Sequence, residues 1–590
     1  MTSRPLDGLE TRAGLGDLLD HAGRAWAGEV CLIESDRERE TERLTYAEVR
    51  RRALALAGGL EAAGFAPGER AAVLASNQSK WHVSAFAVFL RGGVLVPLDF
   101  LATPAEQLAL LEHARPAVLF VEAHLWRALA ATDGFQSQSR RRVLVLGAPP
   151  GEELPAAPAV TVSRWEDCRD ERFDAPPRRR RPDDLASIVY SSGTGGRPKG
   201  CQLTHGNYLA QLGSLVELHP LAPGHRYLSI LPTNHAIDFM VGFIGPYACG
   251  AAVVHLRTLR PEWVRDALRR YRVTHVSLVP AHLAGLEGVV RRRIEDLPAA
   301  RRALFRGLEA LTVLLSRGRP RPRIARRLLR PVHRGLGGRL EAVFVGGAPC
   351  DPSTLRFFHR LGIPVANGYG LTEACTAVTL DRLDPPRPET VGRPLPGVEL
   401  RIVEPDRDGV GEVAVRGATV MRGYLDEPAL TAEALVDGWL MTGDLGRLDD
   451  GHLELRGRRK NMIVTAGGKN VYPEDVEIAL EGIGTIEHCV FAAHFLWPSR
   501  GADERLVLVA RPAEDGDEDI LLAALTETNR RLPPHQRLAG VLPWTTAFPR
   551  TASMKLRRAA LAEEIRRRRP DPAAVVGLDR PAHRAPTTDC

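Results

Sequence analysis

Ile188-Val189-Tyr190-Ser191-Ser192-Gly193-Thr194-Gly195-Gly196-Arg197-Pro198-Lys199-Gly200 is the stretch on which the reading of this chain turns. An apolar, β-like run empties into a loop of glycines and hydroxyls that closes on a lysine. Glycines let backbone N–H groups come close to an anion, hydroxyls add donors, and the ammonium adds a compact charge. Such a loop is suited to cradling a phosphate. It is not the P-loop G-x-x-x-x-G-K-[ST]. Pro198 stands where a glycine should precede the lysine, and Gly200 where a Ser or Thr should meet magnesium.

Outward from this loop, helices and buried strands alternate. Leu44 to Val49 opens a helix, with Thr45 as N-cap and Glu48 three residues on. Ala71–Ala75 reads as a strand, followed by a helix through Phe89 and strands at Val94–Leu98 and Ala117–Val121. This alternation predicts an α/β fold with a mostly parallel sheet. A linker from Pro176 to Asp184 carries four consecutive arginines. Downstream, Leu304, Phe305, Leu308, Leu311 and Leu315 fall at helical spacing, as do Ile324 and Leu328, before a strand at Val343–Val345. From Gly397 the pattern turns to short strands and tight turns, such as Gly411–Gly417. The expected division is a large domain over 1–459 with a distorted β subdomain, a small, mobile α+β domain over 460–569, and a disordered Pro- and Arg-rich tail over 570–590.

A chain of 590 residues is too long for one core, and 44% hydrophobic with 26% charged residues is the balance of an ordinary globular protein. Asp7, Glu10, Asp17 and Asp20 interrupt the beginning of the chain, so no signal peptide can be drawn there. None of the eight cysteines forms a C-x-x-C pair, which argues against a zinc site and fits a reducing cytoplasm. Phe239–Leu256 is uncharged over 18 residues, but Gly242, Gly245, Pro246 and Gly250 predict strand and turn in a core over a membrane span. Between Arg291 and Arg334, fourteen arginines face only Glu295, Asp296 and Glu309. That segment sums to +11 while the whole chain is +7, so the protein is a slightly acidic chain with one basic insert. Nucleic-acid binding needs a broader basic footprint and is not expected. The insert could lie on anionic lipid as an amphipathic surface helix, giving a cytoplasmic protein with peripheral membrane contact. Of the 79 basic residues only five are lysines, at 80, 199, 460, 469 and 555.

The Ser191–Gly200 loop resembles the signature of the adenylate-forming superfamily of acyl-CoA synthetases, nonribosomal-peptide adenylation domains and luciferases. That signature usually has one more hydroxyl, where Gly195 stands here. The resemblance implies that Ser191, Ser192, Gly193, Thr194, Gly195, Gly196 and Lys199 contact the phosphates of ATP, with Thr194 catalytic. Asn367-Gly368-Tyr369-Gly370-Leu371-Thr372-Glu373 is similar to the next motif. It implies nucleotide contacts from Asn367, Tyr369, Gly370 and Thr372, with the Tyr369 ring on adenine and Glu373 both catalytic and the ligand of Mg²⁺. Gly346-Gly347-Ala348-Pro349 resembles the turn that lines the adenine pocket, through Gly347 and Ala348.

Thr442-Gly443-Asp444 resembles the motif whose aspartate, here Asp444, accepts the ribose hydroxyls. Outside that context Gly443-Asp444 reads as a hairpin turn. In Arg458-Arg459-Lys460 and Gly467-Gly468-Lys469 the resemblance, closest to the long-chain fatty acyl-CoA synthetase branch, implies a ribose contact from Arg458. It also implies a hinge at Lys460 and a CoA-facing loop at Gly467, Gly468 and Lys469. Pro549-Arg550-Thr551-Ala552-Ser553-Met554-Lys555 resembles the terminal motif, with Met554 in place of glycine and the catalytic Lys555 retained. Pro232-Thr233-Asn234-His235 resembles the segment that puts a catalytic histidine, His235, at the carboxylate end of the acid pocket. Ala236 follows where amino-acid-activating domains place an aspartate nearby, so an amino acid is not the expected substrate. Asp238 is a carboxylate in apolar company, with no role in the pattern.

The implied reaction is ATP- and Mg²⁺-dependent conversion of a fatty acid to acyl-AMP, then transfer to CoA. An acyl-AMP ligase loading a separate acyl carrier protein is the alternative. A non-catalytic, basic, membrane-peripheral protein is the reading from another class.

Overall fold

The computed structural model describes residues 14–36, 38–132, 135, 142–157, 160–191, 198–258, 260–464, 470–497, 505–512, 518–550, 556–568 and 572–578. Two large sheets dominate. In the first, the strands Val365–Tyr369, Ala342–Val345, His275–Leu278, Arg226–Ser229, Ala252–Leu256 and Val30–Ser35 lie side by side and parallel. Antiparallel strands close both edges. In the second, Leu185–Ser191, Val94–Pro97, Arg70–Leu74, Val118–Glu122, Arg142–Leu146 and Thr161–Arg164 are parallel, and Lys199–Thr204 returns antiparallel beside Leu185–Ser191. The alternation of apolar runs and helices thus gives the expected α/β fold.

The helix Ser79–Leu90 explains why the two sheets stay together. Of its residues only Lys80 escapes burial. A helix apolar on every side has no face for water and must be covered all round. Lys80 at its first turn reaches out to Glu166 at 2.5 Å. The helices Leu15–Ala25 and Tyr46–Ala62 share the same layer, and one apolar cluster runs through it from strands of both sheets. Thr45 caps the second of these by the reciprocal bonding its sequence predicted, since its hydroxyl accepts from the Glu48 amide and the Glu48 carboxylate accepts from the Thr45 amide.

Two sequence expectations need correction. Phe239–Leu256 is helical first, through Phe239–Ile244 and Gly245–Ala248, and only then the strand Ala252–Leu256. The bulky residues Phe239, Met240, Phe243, Ile244 and Tyr247 recur at helical spacing, and their burial outweighs the glycine and proline breakers. Phe243 and Phe239 pack edge-on against Trp81 with ring centroids 5.6 and 6.0 Å away. The tail is also not wholly without structure. Val576–Gly577 adds an antiparallel strand beside Gly540 and Val541, and Leu578 is buried behind it. Composition alone hid one apolar anchor among prolines and arginines.

The β subdomain is an antiparallel sheet of Val398–Val403, Gly411–Gly417, Trp439–Asp449, Leu435–Val436 and His452–Arg458. Beyond it, the strands Thr485–Ala492, Leu506–Pro512 and Leu538–Pro543 form a separate sheet with Val576–Gly577. The buried members of its two apolar clusters all come from Val471 onward. The basic insert forms the helices Ala299–Ser316, Pro322–Leu328 and Arg330–Gly335 between two neighbouring strands of the first sheet. Phe305, Leu308 and Leu328 pack inward, while Leu304 and Leu314 stand 63% and 73% exposed. Among the described residues no helix is long and apolar enough to cross a membrane.

Because the layer around Trp81 is shared by both sheets, Trp81→Ala is expected to cost about 3–5 kcal/mol. A clearly lowered thermal unfolding midpoint of the full chain is the measurement, and an unchanged midpoint would contradict the shared layer.

Candidate active site

The phosphate-type loop is anchored by its two posts. Ser191 ends one strand and Lys199 begins the next, and the two residues pair across the antiparallel ladder. Ser192, Gly193, Thr194, Gly195 and Gly196, together with Gly467, Gly468, Lys469 and Lys555, lie outside the described residues. Ser191 Oγ donates to Glu373 Oε1 at 3.0 Å. The Tyr424 hydroxyl donates to the same oxygen at 3.1 Å, and Lys199 Nζ sits 4.9 Å from the centre of the Tyr424 ring. Burial and then the Glu373 charge raise the pKa of the Tyr424 hydroxyl, which keeps it a donor. Sequence reading missed Tyr424. It arrives on the two-residue strand Gly423–Tyr424, paired opposite Cys201, and only that pairing reveals it.

Glu373 comes from the other sheet. After the strand Val365–Tyr369 the chain folds back so tightly that a Cβ on Gly370 would lie 1.7 Å from the Thr376 carbonyl oxygen. Thr372–Ala374 then make a single 3₁₀ turn. Cys375 follows at φ 69°, ψ −50°, and the Thr376 amide donates to the Ala374 carbonyl at 2.8 Å. That is a classic γ-turn, a strained conformation for a residue with a side chain. The Thr376 hydroxyl, donating to the Ala236 carbonyl at 2.9 Å, ties this turn to the segment holding His235. Thr372 and Glu373 therefore project from a stiffly held turn. Asn367 is placed differently from its expected nucleotide contact, because its buried amide donates to the Thr390 carbonyl at 3.0 Å and braces the strand.

A second cluster joins the first sheet to the β subdomain. The Tyr369 hydroxyl donates to Asp444 Oδ2 at 2.7 Å, and Arg458 Nε lies 2.9 Å from Asp444 Oδ1. The Asp444 charge raises the Arg458 pKa. Gly443-Asp444 is not a hairpin turn but a bulge inside the strand Trp439–Asp449. Glu412 pairs with Leu445 and Ala414 with Met441, so three residues oppose one. A bulge turns a side chain out of the ladder, here with Gly443 at φ 70° and its amide donating to Glu412 at 2.9 Å. Arg459 pairs with Glu412 at 2.7 Å. The half-buried ammonium of Lys460 has its pKa lowered to about 8, first by desolvation and then by Arg458 and Arg558.

His235 precedes the short helix Ala236–Asp238, in a loop stapled from below. Asn77 donates to the Leu231 carbonyl at 2.7 Å and accepts from the Thr233 amide at 2.9 Å. Asp238, whose role the sequence left open, is fully buried. It accepts from Ser229 and Thr233 hydroxyls, both at 2.8 Å, and from Tyr227 at 3.3 Å. Burial outweighs these bonds and pushes its pKa up to about 7.

Beside Tyr369 lies a partly open, largely apolar cleft with room for about 110 Å³. Gly346, Gly347, Tyr369 and Gly370 line one end, and Ile237, Met240, Val241 and Leu212 line its apolar walls. Ala348 is exposed at the surface beside it. Among the described residues no three His, Cys, Asp or Glu side chains converge on a metal-sized site. The arrangement brings the Ser191 and Tyr424 hydroxyls, Lys199 and the carboxylates of Glu373 and Asp444 to the Tyr369–Glu373 segment, next to an apolar slot.

Asp238 has a pKa raised in the folded state, so the folded chain holds its proton more tightly than the unfolded chain does. The stability this contributes is present below about pH 4 and is lost as pH rises towards 7. Asp238→Asn keeps acceptors for Ser229 and Thr233 and offers a donor to Tyr227. It is expected to raise the thermal midpoint relative to the wild type at pH 8, by roughly 1–4 kcal/mol of stability, and to narrow that difference at pH 5. A variant less stable than the wild type at pH 8 would count against a carboxylate whose burial outweighs its hydrogen bonds.

The model of the AMP-binding enzyme family matches residues 19–425. The chain is 32% identical over 474 residues, 76% of this chain and 74% of the relative, to the long-chain-fatty-acid–CoA ligase FadD15 of Mycobacterium bovis. It is 31% identical over 539 residues, 89% of this chain and 94% of the relative, to the feruloyl-CoA synthase of Amycolatopsis sp.. In architecture it is similar to the anthranilate CoA ligase AuaEII bound to anthranoyl-AMP, with a TM-score of 0.76 over 95% of this chain and 98% of that one. At 20% identity that likeness speaks for the fold, including the large α/β part and the smaller C-terminal part. With a family match across more than half its length, the chain belongs to the AMP-binding enzyme family, the adenylate-forming ligases that use ATP to activate a carboxylic acid for transfer to CoA.

Proposed function

We propose that the cleft activates a fatty or aryl acid, with Ser191, Lys199, Thr372 and Glu373 around the phosphates and Asp444 and Arg458 around the ribose. The observation that carries this reading is the pair of clusters, Ser191–Glu373–Tyr424 and Tyr369–Asp444–Arg458, joined through the Tyr369–Glu373 segment, whose Tyr369 and Gly370 line the apolar cleft. A carboxylate oxygen of the acid attacks the α-phosphorus of ATP, the bond to the bridging oxygen breaks, and pyrophosphate leaves. Positioning and charge stabilisation carry such a displacement. Thr194, Thr372, Lys199 and Lys555 donate to the oxygens that gain charge, and His235 holds the acid end of the substrate. Glu373 suits Mg²⁺, which takes one or two carboxylates together with phosphates and water; when bound, the ion would spread the phosphate charge. A CoA thiol then attacks the acyl carbon and AMP leaves. The large domain would end at 459, with Lys460 as hinge and the Gly467–Lys469 loop brought round for that second step. Separate apolar clusters on the far side of the hinge support this division.

The test is pyrophosphate release from ATP. Release is expected to require an added acid and to fall by about 10²–10³ in Lys555→Ala, the size of effect seen when one charge-stabilising donor is removed. Release without acid, or full activity in the variant, contradicts the assignment. Acyl transfer to free CoA, set against transfer to a phosphopantetheine-bearing carrier protein, decides the acceptor.

The basic insert supports a peripheral contact with anionic lipid, because Leu304 and Leu314 face solvent on a helix within the arginine-rich segment 291–334. Neutralising the arginines in 317–330 is expected to weaken binding to anionic vesicles while sparing activity on water-soluble acids. Unchanged vesicle binding removes the idea.

A further inference from the structure

Lys199 and Glu373 carry opposite charges at one site, yet they form no ion pair with one another. The carboxylate oxygen Oε1 of Glu373 is taken by the hydroxyls of Ser191 and Tyr424, at 3.0 and 3.1 Å. The Lys199 ammonium lies over the Tyr424 ring, 4.9 Å from its centre. One side chain therefore receives both charges. The face of an aromatic ring is negative and attracts a cation, while a phenol O–H donates to an anion. The ring takes the ammonium on its face and the carboxylate at its hydroxyl, so the two charges rest at different places on one rigid group.

The backbone that carries this ring is tied down on several sides. Tyr424 pairs opposite Cys201 in the antiparallel ladder, so both side chains share a face with Lys199, two residues before Cys201. The contact between the Tyr424 ring and Lys199 is thus a diagonal cross-strand pair. On either side of Tyr424, the Leu425 amide donates to the Gly200 carbonyl at 2.8 Å and the Arg422 amide to the Gln202 carbonyl at 3.0 Å. The Tyr424 amide itself donates to the Thr431 hydroxyl at 2.9 Å. A further bond reaches the other charge directly, from the Met421 amide to the Glu373 carbonyl at 2.8 Å. Tyr424 is held in register both with the strand that carries Lys199 and with the turn that carries Glu373. Without its ring, an ammonium on a flexible stem would close on the carboxylate. Neither charge would then be free for a ligand.

We propose that Tyr424 is a positioning residue that keeps Lys199 and Glu373 from pairing, leaving the ammonium available to a phosphate and the carboxylate to a divalent cation. The inference rests on the site being the ATP site, as argued under the proposed function.

The experiment measures equilibrium binding of ATP to the full chain by calorimetry, without any acid, once in EDTA and once with Mg²⁺. In EDTA the contribution of the ammonium is read apart from the metal. Tyr424→Leu is expected to weaken ATP binding in EDTA about ten-fold, the loss of one charge-assisted hydrogen bond. The same substitution made in a Glu373→Gln background is expected to cost nothing, because the competing carboxylate is gone. Tyr424→Phe keeps the ring and loses only the hydroxyl, and it is expected to bind ATP in EDTA as the wild type does. A loss of the same size in the Glu373→Gln background marks a merely structural role and overturns the proposal. Wild-type binding in Tyr424→Leu overturns it too, as does a Tyr424→Phe variant that loses as much as Tyr424→Leu. If the wild type binds ATP with Mg²⁺ but not in EDTA, Lys199 does not hold phosphate unaided, and the proposal fails while the ATP-site reading stands. If the wild type binds ATP under neither condition, both fail.

Discussion

The helix Ser79–Leu90 has no polar face, and the fold is arranged around that constraint. Both large sheets must cover it, so their carboxyl-terminal edges are brought to a common seam. Loops at the carboxyl ends of parallel strands are where α/β sheets bind ligands, and here two such edges contribute to one site. Ser191 and Lys199 come from one sheet, Glu373 and Tyr369 from the other. The bond from Ser191 to Glu373 crosses the seam. Apolar burial thus sets the distance across which the polar chemistry operates.

The polar groups at the seam are prearranged by local strain and by pairing. Gly370 accepts a backbone approach that no Cβ would allow, and the γ-turn at Cys375 holds the Glu373 turn in a conformation of its own. The bulge at Thr442–Asp444 performs the same task from the β subdomain, turning one carboxylate towards Tyr369 and Arg458. In both places a strand gives up regular geometry at the site, as strained backbone often does where a ligand is handled. Asp238 and Asn77 do related work at one remove. They hold the Leu231–His235 loop from beneath and touch no part of the cleft mouth.

The cleft shows how two demands divide a single cavity. Tyr369, which lines it, joins a set of charge partners already satisfied by one another, Asp444 and Arg458. Its walls are largely apolar, with His219 and His275 among the residues behind them. The basic insert is separate from all of this. It packs only its inner residues against the first sheet and leaves leucines among arginines at the surface.

The amino-acid sequence by itself determined the fold class, the capping of the helix that starts after Thr45, and the identity of most residues at the seam. Those are properties of short stretches, in which periodicity, capping residues and loop composition act locally. It also determined which basic residues stayed lysine, and four of those five lie in the site motifs. Tertiary structure alone decided which residues meet. Tyr424 joins Glu373 through a two-residue strand, and Asn367 turns inward to Thr390 although its motif suggested the nucleotide. Gly443 lies in a bulge where its dipeptide suggested a turn, because the partner strand sets the register. His219 and His275 look like scattered histidines until the sheet and its covering helix set them at the end of one cleft. Local patterns are written within a few residues, but register, burial and the pairing of distant side chains depend on the whole packed chain.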